Sequence, residues 1–160
     1  MGLLTATLDD TKPRGETLPG GTYRVTVESV GPRAKGNGTE LSRQYGSIRT
    51  RDGATEFPKA DGNMFRIGNR KLFAGDWIDH SNPDAVKVGH SRLTQEAIAA
   101  GLMPKPTKEQ PESDLPYENW DAYGAALVGR ELLVIVGPRS YVNKAGETVT
   151  DVEVKGWVLP

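Results

Sequence analysis

The chain contains no cysteine. That excludes disulfides, a thiol nucleophile and a zinc–thiolate centre, and it suits a reducing compartment. No stretch approaches the roughly 18 consecutive apolar residues of a membrane-spanning helix, so no membrane contact is expected. Met1 to Asp10 lacks the basic start and long apolar stretch of a secretion signal. Aromatic residues make up only 7%, and histidine occurs twice, at His80 and His90. Ten residues apart, these two are not a helical metal pair; surface or capping roles are expected of them. Walker spacing is missing from the nearest glycine clusters, Gly36-Asn37-Gly38 and Gly68-Asn69-Arg70-Lys71. No nucleophile motif frames the Ser, His and Asp residues. Asp76, Asp79 and Asp84 could hold a divalent ion in principle, but Asp79 and Asp84 are expected as helix-start charges. No enzymatic activity, metal or cofactor is expected. Net charge is small as well, formally -1.

What is present is unevenly spread. Between Arg33 and Lys71 lie nine Lys/Arg against four Asp/Glu, with Tyr45, Phe57 and Phe65 among them. Cations meet phosphates and rings stack on bases, so such a stretch on extended backbone suits single-stranded nucleic acid. The plainer reading is a solvated face. Residues 104–121 run the other way, with five acids against two lysines. Four prolines fall within 104–116, so residues 104–119 read as a Pro-rich acidic insertion.

With 160 residues, 36% of them hydrophobic, and a mean hydropathy of -0.51, one domain with a modest core and large loops is expected. Residues 1–18 are polar and without periodicity, which predicts a flexible N-terminal arm ahead of a domain over 19–160. Leu18-Pro19-Gly20-Gly21 is a turn signal. Thr22 to Val30 alternates and predicts a half-buried strand. A second extended run spans Thr39 to Arg51. A long loop to Asn69 follows, then a third strand over Arg70 to Asp79. Asn82-Pro83 is a helix start, with Val86, Leu93, Ala97 and Ile98 on one side and Gly101 and Pro104 at the end. Trp120 to Leu127 predicts a short helix. Glu131 to Val136 is a continuous apolar run, expected as a strand buried on both faces. Asn143 to Gly146 makes a hairpin loop, and Glu147 to Leu159 returns as the last strand. The fold class is mainly β. Five strands with a helix between the third and fourth is the chain order of an oligonucleotide-binding (OB) barrel.

Several short stretches resemble a family of phage-encoded single-stranded-DNA-binding proteins with an OB fold. Leu18-Pro19-Gly20-Gly21-Thr22-Tyr23-Arg24-Val25 is similar to that family's turn into a Tyr-led first strand. Arg70-Lys71-Leu72-Phe73 leading to Asn82-Pro83 resembles its third-strand-to-helix passage. Leu127-Val128-Gly129-Arg130-Glu131-Leu132-Leu133-Val134 is similar to its entry into the fourth strand. Tyr141-Val142-Asn143-Lys144 and Val152-Glu153-Val154-Lys155-Gly156-Trp157 resemble its closing hairpin. The resemblance implies binding of single-stranded DNA in phage replication or recombination, in the host cytoplasm. Replication or recombination proteins and a second copy of the chain are compatible partners.

OB barrels bind strands across the sheet made by their second and third strands. Strict alternation puts Leu41, Arg43, Tyr45, Ser47, Arg49 and Arg51 on one face of the second strand. It puts Lys71, Phe73 and Trp77 on one face of the third, just after Arg70, and leaves Leu72, Ala74 and Ile78 opposite. Together these predict a groove of cations and rings, unless a one-residue register error exchanges the faces. Lys59, Phe65 and Arg66, with Phe57, are expected to close over bound DNA or else to pack back on the barrel. Tyr141 and Lys144 sit where OB loops contact a strand. Tyr23 is expected at the core edge, Trp157 near the barrel end, and Trp120 as anchor of the insertion. The alternative function is a protein-binding OB module, a phage accessory or assembly factor. The near-neutral charge and the acidic insertion favour it.

Overall fold

Alternating apolar residues build the main layer of the computed structural model, which describes residues 16–108 and 115–160. β1 (Gly21–Lys35) buries Tyr23, Val25 and Val27, and turns through Gly36 into β2 (Gly38–Thr50). A small separate hairpin follows, β3 (Glu56–Pro58) with β4 (Met64–Arg66). Then come β5 (Leu72–His80), α1 (Pro83–Ala99), α2 (Trp120–Leu127), β6 (Glu131–Val142) and β7 (Thr148–Trp157). The large sheet has the order β5-β2-β1-β6-β7, with every pairing antiparallel. It is not closed by hydrogen bonds between β5 and β7.

α1 starts where the sequence predicts. The Asn82 side chain accepts from the Asp84 amide at 3.0 Å, Pro83 fills the first turn, and Asp84 adds an acid to it. Gly101 ends the helix with φ +77, a conformation that suits a residue without Cβ. Leu93, Ala97 and Ile98 are buried as expected, and Glu96 is buried among them. The helix crosses the open side of the sheet. Its Arg92 spans the two edge strands. It donates to Asp76 of β5 at 2.6 Å and to the carbonyls of Lys155 and Val154 of β7 at 3.0 and 3.3 Å.

Residues 1–15, and with them most of the expected arm, lie outside the described residues, as does 109–114 of the insertion. The end of that arm does not match the expectation. Leu18 is in the core, and Glu16 pairs with Lys59 at 2.6 Å. Leu18 is the one large apolar residue of the turn, and it is buried. Within the insertion, Leu115 and Tyr117 pack against the core. β6 is not buried on both faces. Leu132, Val134 and Val136 point inward, while Ile135 is 41% exposed, because only one side of this antiparallel sheet is covered.

A bulge in β2 decides what the sheet can present. Arg49 faces Arg24 of β1, but Gly46 faces Thr26, so Ser47 and Ile48 together oppose Val25. Ser47 takes φ +51, left-handed and rare for a residue with a Cβ. The extra residue exchanges the faces. Leu41, Arg43 and Tyr45 point inward before it, and Ile48 does so after it, leaving Arg49 outside.

Candidate nucleic-acid interface

The bulge splits the row of residues that strict alternation places together. Arg43 and Tyr45 are fully buried, so they cannot meet a ligand on the sheet surface. Arg43 donates to Glu96 of α1 at 2.9 Å, to Asp76 of β5 at 2.6 Å and to its neighbour's carbonyl at Leu41. The Tyr45 hydroxyl donates to the other oxygen of Glu96. Tyr123 of α2 reaches the same carboxylate at 3.1 Å. Trp157 of β7 lies beneath both Arg43 and Arg92, with guanidinium-to-ring distances of 5.6 and 4.9 Å. Burial opposes the Arg43 charge, but Glu96 and Asp76 more than compensate and hold it protonated. Burial likewise raises Glu96 above the usual carboxylate value, against the pull of Arg43 and the two tyrosine donors. This cluster ties α1 and α2 to the sheet interior.

The outer face is a different surface. Register places Phe73 opposite Gln44, Gly75 opposite Ser42 and Trp77 opposite Glu40. Phe73 is 59% exposed, an unusual state for a ring. Lys71 stands two residues before it on the same face and is also exposed, with its ammonium 2.8 Å from Glu28. Trp77 is half-buried, its ring edge-on to His80 at 4.5 Å. His80 itself accepts from the Asn82 amide, a capping role. Arg49 and Arg51 are exposed beyond the bulge. Arg24 lies beside Arg49, tied to Glu131 at 3.0 Å.

The loop after β2 packs back on the sheet. Phe65 is buried and stacked on half-buried Phe57 at 5.3 Å, and Phe57 meets Tyr23 at 6.4 Å. Arg70 covers the Phe65 ring at 4.9 Å. Two phenylalanines with a large apolar neighbour in reach bury one another sooner than wait in water. Phe65 is therefore corrected from a ligand ring to a core ring. Lys59 is half-buried between Glu16 and Asp61, and the Glu16 contact raises its affinity for its proton. Arg66 stays exposed, 3.5 Å from Glu56.

At the tip of the β6–β7 hairpin, Tyr141 is 40% exposed with Arg139 over its ring at 4.7 Å, and Lys144 is exposed beside it. The Asn143 side chain shapes that turn by accepting from the Ala145 and Glu147 amides. This tip belongs to the opposite half of the sheet from β5. The fold thus brings Lys71, Phe73 and Trp77 together with Arg49 on one surface. It leaves Tyr141 and Lys144 on another element and removes Arg43, Tyr45 and Phe65 to the interior.

Sequence reasoning missed Gln44 and Glu28 on the outer face, and Glu96 and Arg92 beneath it; Asp76, named as a candidate ion ligand, accepts from Arg43 and Arg92 instead. One signal for Glu96 was available: an acid three residues after Leu93 and one before Ala97 falls inside the apolar stripe of the helix. Such an acid calls for a buried cation. No protein-family model matches the chain, and no curated protein matches it either.

Proposed function

We propose that the chain is an OB-fold, single-stranded-DNA-binding protein of a phage. It works by base stacking and phosphate contacts on the outer face of β2 and β5, with little sequence preference. The sheet order supports the fold reading. Counting only the five strands of the large sheet, it is third, second, first, fourth, fifth, with α1 following the third strand in the chain. Arg92 and Trp157 then draw the two sheet edges together on side chains. The resemblance of the short motifs supports the phage assignment. The observation that carries the function is Phe73: an exposed ring on a strand face, beside Lys71 and in register with the β2 side chains. A stacked base stabilises such a complex by about 1–3 kcal/mol whatever its identity. Arg49, Arg51 and Lys71 supply phosphate contacts, and Trp77 a second ring.

A gel-shift comparison of single-stranded and duplex DNA at two salt concentrations tests this. Retention of the single strand, weakened by salt, is the expected result. The log–log slope should be about -0.7 per phosphate contact. Equal affinity for duplex, or no shift at low salt, overturns the reading.

One observation favours the second reading, a protein-binding module. A cleft of about 410 Å3 opens between α1, the end of the insertion and the start of α2, lined by His90, Thr94, Tyr117, Glu118 and Trp120. Its size is ordinary for a ligand site. It lies on the helix side, away from the outer sheet face, and a protein module with no DNA affinity would use it alone.

A further inference from the structure

Two glutamates lie flat on the outer face, each over a glycine of the neighbouring strand. Glu28 of β1 covers Gly46 of β2, and Glu40 of β2 covers Gly75 of β5. A Cβ at Gly46 would collide with the Glu28 carboxylate. Glycine inside a strand weakens it, so bare backbone here leaves room for something. At Gly46 the occupant is well held. Lys71 donates to Glu28 at 2.8 Å and Gln44 donates to it at 3.0 Å. These contacts keep the Glu28 carboxyl below the usual carboxylate range. Glu28 also falls at an irregularity of β1, between Val27 and Ser29 in the pairing with β2, which frees it to fold across.

The result is a seat for an anion. Its floor is bare backbone, one side is an ammonium and the other a side-chain amide. Gln44 stands directly opposite Phe73, so the seat adjoins the exposed ring. A phosphodiester offers the same pair of acceptor oxygens as a carboxylate. We propose that this seat is a phosphate site for single-stranded DNA, filled in the free protein by Glu28, which an incoming phosphate displaces. The proposal rests on the single-strand-binding reading and adds to it where one phosphate lies and what guards it. Glu40 lacks this surrounding: among the described residues its nearest cation, Lys35, is 4.0 Å away.

While Glu28 neutralises Lys71, that lysine adds little to the salt dependence of binding. Removing the Glu28 charge lets that phosphate contact count in full. The test is a salt series of oligo-dT binding, followed by anisotropy, for the wild type, Glu28→Gln, Glu40→Gln and Glu28→Gln with Lys71→Met. Glu28→Gln is expected to steepen the log–log slope by about 0.7. It should tighten binding at low salt by about two- to five-fold, the worth of one exposed ion pair. Glu40→Gln should leave the slope unchanged, and the double variant should lose the gain. If only Glu28→Gln binds, the masking is supported as well. A wild type that binds, with Glu28→Gln giving the same slope or Glu40→Gln the same gain, overturns the seat and leaves the single-strand reading standing. If no form binds, both fall together.

Discussion

The two faces of β2 carry the same kinds of side chain and put them to opposite uses. Inward, Arg43 and Tyr45 meet Glu96 and Asp76, and their polar groups hold a helix against a sheet. Outward, Gln44 and Arg49 share a surface with Lys71 and exposed Phe73. A cation and a ring on one strand are therefore no sign of a ligand by themselves. What decides is whether a carboxylate waits inside the fold. Buried ions need partners, since desolvation outweighs any single contact; α1 delivers Glu96 from 53 residues away in the chain, and β5 delivers Asp76. Water and salt solvate the outer cations, so they remain available to phosphates.

Three substitutions separate these faces, from the largest effect to the smallest. Arg43→Ala leaves Glu96 and Asp76 buried without their shared cation. It should cost about 3–5 kcal/mol in urea unfolding. A loss below about 1 kcal/mol would mean that the inner cluster is not what fastens the helix. Phe73→Ala should behave in the reverse manner. Its stability should stay within about 0.5 kcal/mol of the wild type. Oligo-dT affinity should fall roughly 5- to 150-fold, as loss of one stacked base implies. A variant that unfolds instead would show the ring to be structural. Ser47→Gly relieves the left-handed residue of the bulge and should raise stability by about 1 kcal/mol. A destabilised variant would argue that the bulge is held by the serine itself.

Most of the scaffold was legible along the chain. Alternation located β1 as far as Val30, though the strand runs on through Gly31 and Pro32 to Lys35; it also located β2 and β5, the Asn82-Pro83 cap located α1, and Asn143 with Gly146 located the last turn. The faces were not legible, for two physical reasons. Alternation propagates only through regular pairing, and the extra residue at Ser47 breaks it midway along β2. A row of three arginines looks too polar to bury unless the reader knows that Glu96 comes with it. The pairing of Phe57 with Phe65 escaped for a related reason. The loop between β2 and β5 forms its own hairpin, whose register brings those two rings together. Lys71, Phe73 and Trp77 were placed on one face because residues 71–77 keep strict period two. Glu28 and Gly46 were not, because a glutamate folded across onto a neighbouring strand leaves no local pattern.

On the proposed function, a ligand strand lies on the outer face of β2 and β5. Amide chemical shifts of the full chain, followed while oligo-dT is added, test it most directly. Changes are expected to gather at Ser42 to Arg49 and Lys71 to Trp77, with α1 and the residues around Trp120 unmoved. Changes confined to His90, Tyr117 and Trp120, with the outer sheet silent, would contradict it.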